Sequence, residues 1–324
     1  MYRMIVRALG GPPALEVEEL ENLSVGPGEV GIDVKVIGCN FFDILITQGK
    51  YQVRPELPFA PGAEVAGVVT EVGKDVNQFS RGDRVSALLT YGGYASTLAA
   101  PADRVFPIPS AMSFEDAAAA GLVYQTSYVA LVHRANLRAD ETLLVHAAAG
   151  GVGLAAVQIG AALGARVIGT AGTKEKLELV AENGADFVVN YREGDWVSRV
   201  KELTDGRGAD VIYDPVGGDT FDASTKCIAF EGRLLIVGFA SGRIPTAAMN
   251  RVLLKNFSLV GIHWGLYFDE DPEVLHESQV ALSRLYAEGK IKPVVSETFP
   301  LKDAKSALAA LGSRKTTGKI VLVP

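Results

Sequence analysis

LLVHAAAGGVGLAAVQIGAALGA, residues 143–165, is the stretch that decides how this chain folds. It opens with an apolar run, passes through a glycine cluster and continues as an apolar stretch rich in alanine. That order predicts a strand, a tight turn and a helix. In a GxGxxG register the turn supplies Ala148, Gly150 and Gly153, with alanine replacing the first glycine. Gly150 lets a pyrophosphate approach the backbone, and Gly153 lets the helix pack closely on its strand. A helix starting near Val152 offers unpaired N–H groups and the positive end of its dipole. Ala149, Gly150, Gly151, Val152 and Gly153 are therefore candidate dinucleotide contacts.

Downstream, strand and helix signals alternate. The strand candidates are 143–147, 166–170, 187–190, 210–214, 233–238 and 257–262, with helices beginning near 152, 174, 195, 219 and 246. Near-continuous apolar strands separated by helices indicate a parallel sheet covered on both faces. Six strands at this spacing predict a doubly wound α/β (Rossmann) domain.

The strand after the glycine turn bears on the choice of dinucleotide. A site for NAD usually carries Asp or Glu at that strand's end, about 20 residues on, to hold the ribose 2′-hydroxyl. Here the chain reads GTAGTKEK, residues 169–176, with no acid at the strand end. Hydroxyl and ammonium groups accept a 2′-phosphate that a carboxylate would repel. Lys176 is the first choice for that contact, with Thr173, Tyr191 and Arg192 assisting, and the cofactor expected is NADPH.

Upstream, the first 120 or so residues differ in character. Short β-branched runs at 34–37, 65–72 and 84–89 are broken by PGE, PGA, GKD and RGD segments, and prolines at 55, 58, 61, 101, 107 and 109 disfavour long helices. The pattern suggests a compact, partly open β-barrel. Ser113, three residues before Asp116, can cap a following alanine-rich helix. Beyond Pro272 come a helix near 273–288, an extended VVSETF, a helix near 302–311 and the strand-like KIVLV, a tail expected to rejoin the first domain.

Composition limits the remaining options. A chain of 324 residues with 48% hydrophobic and 21% charged residues fits two globular domains rather than disorder. A formal charge of −7 argues against general nucleic-acid binding. No apolar run suggests membrane insertion, and the opening residues lack the pattern of a signal peptide, so a cytoplasmic location is expected. Cys39 and Cys227 form no CxxC pair, and the four histidines show no HxH or HxxxH spacing. His146, inside the first strand of the doubly wound domain, reads as a packed residue, and His133 and His276 as helix-surface residues.

GCNFFDILITQGKY (38–51), PFAPGAEVAGVVTEVG (58–73), GDRV (82–85), the AAAGGVG turn, GTAGTKEK, VNYREGD and the closing TGKIVLV together resemble the zinc-less quinone oxidoreductases of the medium-chain dehydrogenase/reductase superfamily. The resemblance spans nearly the whole chain. It implies a GroES-like catalytic domain from residues 1–124 and 263–324, a nucleotide domain from 125–262, and a cofactor in the cleft between them. It also implies a homodimer built on the strand at 257–262. Where zinc-using relatives carry their first zinc cysteine this chain has Asn40, and where their GHE motif carries histidine it has Ala63. The usual ligand set is missing, so no metal is expected. The same likeness puts Asn40 and Tyr51 at the nicotinamide and substrate, with Tyr51 either a proton donor or a lining aromatic. It gives Asp43 a bracing role. It further implies Gln125 and Thr126 near the nicotinamide ribose, Phe239, Ala240, His263 and Trp264 after the last two strands, and Lys319 reaching toward the phosphates. The activity implied is reduction of quinones by NADPH, with one- and two-electron outcomes both open. Reduction of activated C=C bonds in enones or enoyl thioesters is the alternative enzyme, and nucleotide binding without catalysis the alternative of another class.

Overall fold

The computed structural model describes residues 1–324. The chain divides into two units, one from Met1–Leu122 with Pro293–Pro324, the other Val123–Lys292.

The first unit is mainly β. Its strands are β1 (Tyr2–Val6), β2 (Leu15–Glu19), β3 (Glu29–Gly38), β4 (Glu64–Val72), β5 (Arg84–Leu88), β6 (Thr97–Pro101) and β7 (Val105–Pro107), with one short helix, α1 (Phe41–Thr47). Its prolines fall in connections or, as Pro101 of β6 and Pro107 of β7, at the last residue of a strand, where a missing N–H disrupts the ladder least. Helix α2 (Phe114–Tyr128) follows, and the Ser113 hydroxyl accepts the Asp116 N–H at 3.0 Å, as its spacing predicts.

The second unit carries strands β8 (Thr142–Val145), β9 (Arg166–Ala171), β10 (Phe187–Asn190), β11 (Ala209–Asp214), β12 (Ile228–Ile236) and β13 (Ser258–Gly261). All pair in parallel, in the order β10-β9-β8-β11-β12-β13. This is the doubly wound order, in which the first strand sits at the topological switch point. The intervening helices are α3 (Gly151–Ala162), α4 (Lys174–Glu182), α5 (Trp196–Leu203), α6 (Gly218–Cys227) and α7 (Met249–Lys255). Both β8 and β11 are buried along their whole length, in keeping with their mainly apolar sequences, in which Thr142, Asp210 and Asp214 are the polar exceptions. Strand β12 begins five residues earlier than its apolar run suggests. Glu231, at φ 55, and Gly232 accommodate an irregularity in its pairing that a hydrophobicity pattern does not register.

The unit closes with α8 (Tyr267–Glu270) and α9 (Pro272–Ala287), and here the domain boundary drawn from sequence needs correction. Residues 263–292 stay with the nucleotide-binding sheet, and the return to the first unit comes at Pro293. The cause is a set of polar sutures. Trp264 Nε1 donates to Gln125 Oε1 at 3.3 Å, Gln125 Nε2 donates to Gln279 Oε1 at 2.9 Å, and Gln158 exchanges two hydrogen bonds with the Lys292 backbone. The other boundary falls at 122/123, two residues before the expected one.

The returning segment supplies β14 (Val295–Pro300), α10 (Ala304–Gly312) and β15 (Lys319–Val323). Strand β15 pairs with β3, and the sheet order β14-β15-β3-β4-β5-β7, with β6 also on β3, completes the first unit. Its core gathers residues from both chain ends, among them Val30, Ile37, Val65, Leu308, Ile320 and Leu322.

Candidate active site

In the second unit, the chain leaves β8 at His146 and turns at Ala147, whose φ of 48° is left-handed and costs a non-glycine residue about 1 kcal/mol. Gly150 then caps α3. The N–H groups of Gly151, Val152 and Gly153 belong to its first turn, where no intrahelical acceptor exists. Gly153 is demanded by packing: a Cβ there would lie 2.3 Å from the Ala147 carbonyl oxygen and 2.7 Å from Ala148 Cα. Gly150 is not. Its φ of −85° suits any residue, and a Cβ would meet only Ala147 O, at 3.4 Å. Neither backbone nor packing requires glycine there, and the space beside it is open to a group approaching the backbone. The site therefore fits a pyrophosphate.

At the end of β9, Thr173 caps α4. Lys176 is half-buried, and burial followed by the charge of Arg192 pulls its pKa below the usual lysine value. An anion beside Lys176 would offset the cost that burial and the nearby Arg192 charge place on its ammonium. Tyr191 and Arg192 lie over Gly172, where a Cβ would come within 2.6 Å of the tyrosine hydroxyl and 2.9 Å of the guanidinium. Glu175 does not oppose this arrangement. Its own backbone N–H and the Thr173 hydroxyl hold its carboxylate at the helix start and lower its pKa. The four residues expected at a 2′-phosphate thus fall at one strand end.

Other expectations for this unit fare differently. Gln125 is fully buried and both atoms of its amide are committed to Trp264 and Gln279, so its side chain serves the suture described above. Thr126 is buried at 9% exposure, while Phe239, after β12, is 36% exposed and its ring covers Gly217. His146 is a packed residue: its ring nitrogens meet Thr170 and Ser224 hydroxyls at 3.1 and 2.9 Å, and burial lowers its pKa to about 3. Sequence reading missed Ser127, whose hydroxyl donates to the Val152 carbonyl at 3.1 Å and lies 2.9 Å from the Tyr213 hydroxyl. The first of these bonds ties α2 to the first turn of α3 and the second ties Ser127 to β11, and nothing local in the sequence signals them.

In the first unit, the chain crosses from β3 to α1 through Cys39 and Asn40. Asp43, buried, accepts the Asn40 N–H at 2.7 Å, the Gly62 N–H at 3.2 Å and the Tyr94 hydroxyl at 3.2 Å. Burial pushes its carboxyl up to about 7 against the pull of these donors and of Lys319. Asp43 braces the turn, in keeping with its expected role. Tyr51 is half-buried and tilts against Phe42 with ring centroids 5.3 Å apart. Burial and then the Asp43 charge raise its pKa, so the phenol keeps its proton at neutral pH.

Lys319 corrects another expectation. It is 4% exposed, and its ammonium donates to the Cys39 carbonyl at 2.7 Å, Asn40 Oδ1 at 2.7 Å and Glu64 Oε1 at 2.5 Å. An ammonium has three N–H bonds, and all three are taken, so none remains for a phosphate. Glu64, its partner, was overlooked in the sequence, although a carboxylate inside a β-branched run calls for a cation.

The places where zinc ligands stand in relatives can be tested on chemistry. Ala63 offers no donor. Cys39 is buried, and burial drives its thiol pKa to about 12, far from the thiolate that binds a metal. Nowhere do three His, Cys, Asp or Glu side chains converge as a metal would require.

The architecture is that of a medium-chain dehydrogenase/reductase, a GroES-like unit joined to a nucleotide-binding Rossmann unit. Residues 26–110 match the family model described as "Alcohol dehydrogenase GroES-like domain", and residues 151–279 match "Zinc-binding dehydrogenase", a segment that excludes Asn40 and Ala63. The chain is 43% identical to quinone oxidoreductase-like protein 2 homolog of Nematostella vectensis over 324 residues, 99% of this chain and 88% of that protein. It is 40% identical to quinone oxidoreductase 1 of Escherichia coli, covering 97% of each. The crystal structure of E. coli quinone oxidoreductase complexed with NADPH superimposes with a TM-score of 0.93 at 38% identity, covering 100% of both chains. The chain belongs to the zinc-independent quinone oxidoreductase family of that superfamily.

Proposed function

We propose that this protein reduces quinones with NADPH and without a metal. The observation that carries the reading is the convergence of Lys176, Arg192, Tyr191 and Thr173 at the end of β9, beyond a glycine turn whose Gly150 no protein contact explains. The names of the relatives and the NADPH complex of the E. coli enzyme support the same substrate and cofactor.

The cofactor, when bound, supplies the hydride. Gly150, Gly151, Val152 and Gly153 hold the pyrophosphate, and Lys176 with Arg192 the 2′-phosphate. Ala149 contributes backbone only, since its side chain is buried. Gln125 and Thr126 shape the wall behind the ribose, with Phe239 a contact at the far strand end. In the first unit Asn40 and Tyr51 serve the reacting groups. The Tyr51 phenol makes no hydrogen bond within the chain and keeps its proton, so it can donate to an oxygen that gains charge.

Turnover of a quinone panel against an enone and enoyl-thioester panel tests the assignment. Efficient NADPH oxidation by quinones is expected, whereas turnover confined to double-bond substrates would overturn it. Tight NADPH binding with no hydride transfer to either panel would mark a non-catalytic protein. K176A should raise the Kd for NADPH by about 10- to 100-fold, the worth of one charge-assisted contact, while NADH is little affected. Equal losses for both would remove Lys176 from the phosphate site.

A homodimer fits the open edge of β13, beside which Leu253 and Leu254 are 73% and 75% exposed. Sedimentation at micromolar concentration showing only monomer would exclude it. No helix is long and apolar enough to cross a membrane. Two buried free thiols suit a cytoplasmic location, which a fluorescent fusion found in another compartment would refute.

A further inference from the structure

Asn40 stands against a buried ion pair that the reaction itself does not require. Its Oδ1 accepts from Lys319 Nζ at 2.7 Å, and its Nδ2 donates to Glu64 Oε1 at 2.7 Å. The same Glu64 oxygen receives the Lys319 ammonium at 2.5 Å. Three groups thus close a ring of hydrogen bonds with side chains at most 6% exposed. Rotating the Asn40 amide by half a turn would set NH2 against the ammonium and C=O against the carboxylate. Both contacts would become repulsive at once, in a setting where water cannot screen them.

The surroundings hold the ring in place. Glu64 Oε2 accepts the Leu122 N–H of α2 at 2.6 Å. Gly38 and Gly121 leave the carboxylate room, since a Cβ at Gly38 would fall 2.5 Å from Oε1 and one at Gly121 3.0 Å from Oε2. Lys319 is anchored by β15, and Glu64 by the first residue of β4. Asn40 Oδ1 also faces the Asp43 N–H in the capping box that starts α1, and its second N–H lies 3.5 Å from the Gly38 carbonyl, the longest and most easily exchanged of its contacts.

We propose that the Lys319–Glu64 pair fixes the Asn40 amide in a single orientation, which makes Lys319 and Glu64 positioning residues for hydride transfer. A hydrogen-bonding amide free to flip presents the wrong group half the time. One locked by opposite charges presents the same edge in every turnover. A buried ion pair is a poor source of net stability, because desolvation offsets its attraction, and fixing one arrangement is its best-attested use. The inference rests on the reading of Asn40 as a residue that serves the reacting groups.

The test compares K319Q/E64Q, which removes both charges and keeps hydrogen-bonding atoms, with N40A and wild type. Single-turnover hydride transfer with [4-²H]NADPH is measured beside NADPH affinity and thermal stability. In addition, ¹⁵N-asparagine labelling follows the Asn40 side-chain amide, assigned by its loss in N40A. The double variant is expected to fold and to bind NADPH within about 3-fold of wild type. Its hydride step should slow by about 10-fold, with a deuterium isotope effect on that step, and its Asn40 amide protons should exchange faster with solvent. If N40A slows the hydride step while K319Q/E64Q leaves both rate and amide exchange unchanged, the positioning role is overturned and the Asn40 reading survives. A hydride rate unaffected in N40A overturns both. Should the double variant melt below the assay temperature, K319M/E64Q, which also removes both charges without stranding one, is measured at a temperature where it is folded and read in the same way.

Discussion

K319M is expected to destabilise the protein by about 3–5 kcal/mol, a fall in Tm on the order of 10 °C. The loss comes less from the missing ammonium than from what it leaves behind. Glu64 is 1% exposed, and without Lys319 its carboxylate keeps only the Asn40 amide and the Leu122 N–H. Neither neutralises a charge held away from water. Adding E64Q to K319M should therefore recover a large part of the loss, although it introduces no new favourable contact. Thermal unfolding of the two variants checks this. A K319M protein that melts within about 2 °C of wild type would show that water reaches Glu64 and that the pair is not truly buried.

G153A should raise the Kd for NADPH by on the order of 100-fold, equivalent to about 2.7 kcal/mol. The added methyl would sit 2.3 Å from the Ala147 carbonyl oxygen, and both sides of that clash are backbone. The first turn of α3 has to move off β8, carrying with it the N–H groups proposed to face the pyrophosphate. Stability should fall as well, by about 1–3 kcal/mol, as overpacking commonly costs. G150A separates the two effects. No protein atom stands in its way, so it should melt like wild type and still bind NADPH poorly. Calorimetric titration that finds normal affinity in G150A would show that no phosphate approaches that backbone.

The two units were unequally legible in the sequence. Strands β8, β9 and β11 follow from mainly apolar runs of four to six residues that are buried almost throughout, whereas β10, with Val188 exposed, is legible from its paired valines. The helix starts at Gly151, Lys174 and Trp196 fall within a residue of their expected places, since glycine, threonine and aspartate caps are local signals. Non-local pairings were less accessible. The resemblance assigns the segment 263–292 to the first unit, and only the contacts of Gln125 and Gln158 show that it belongs to the second. Lys319 and Glu64 lie 255 residues apart, so each looked like an isolated charge. Resemblance drew attention to Asn40, but the partners of its amide are set only by three-dimensional proximity.

The first unit is assembled from both ends of the chain, while the second is one uninterrupted stretch, Val123–Lys292. On the ribosome, which delivers residues in order, the nucleotide-binding sheet has its whole sequence available before β15 exists. During that interval Glu64 has been made but its cation has not, and β3 lacks its neighbour β15, whose Val321 and Leu322 pair with Gly38 and Ile37. The nascent protein thus passes through a stage in which its cofactor-binding half can be complete and its chemistry-bearing half cannot. Nascent chains arrested just before and just after residues 319–323 have emerged would reveal it, as protease resistance gained by the amino-terminal strands only in the longer chain.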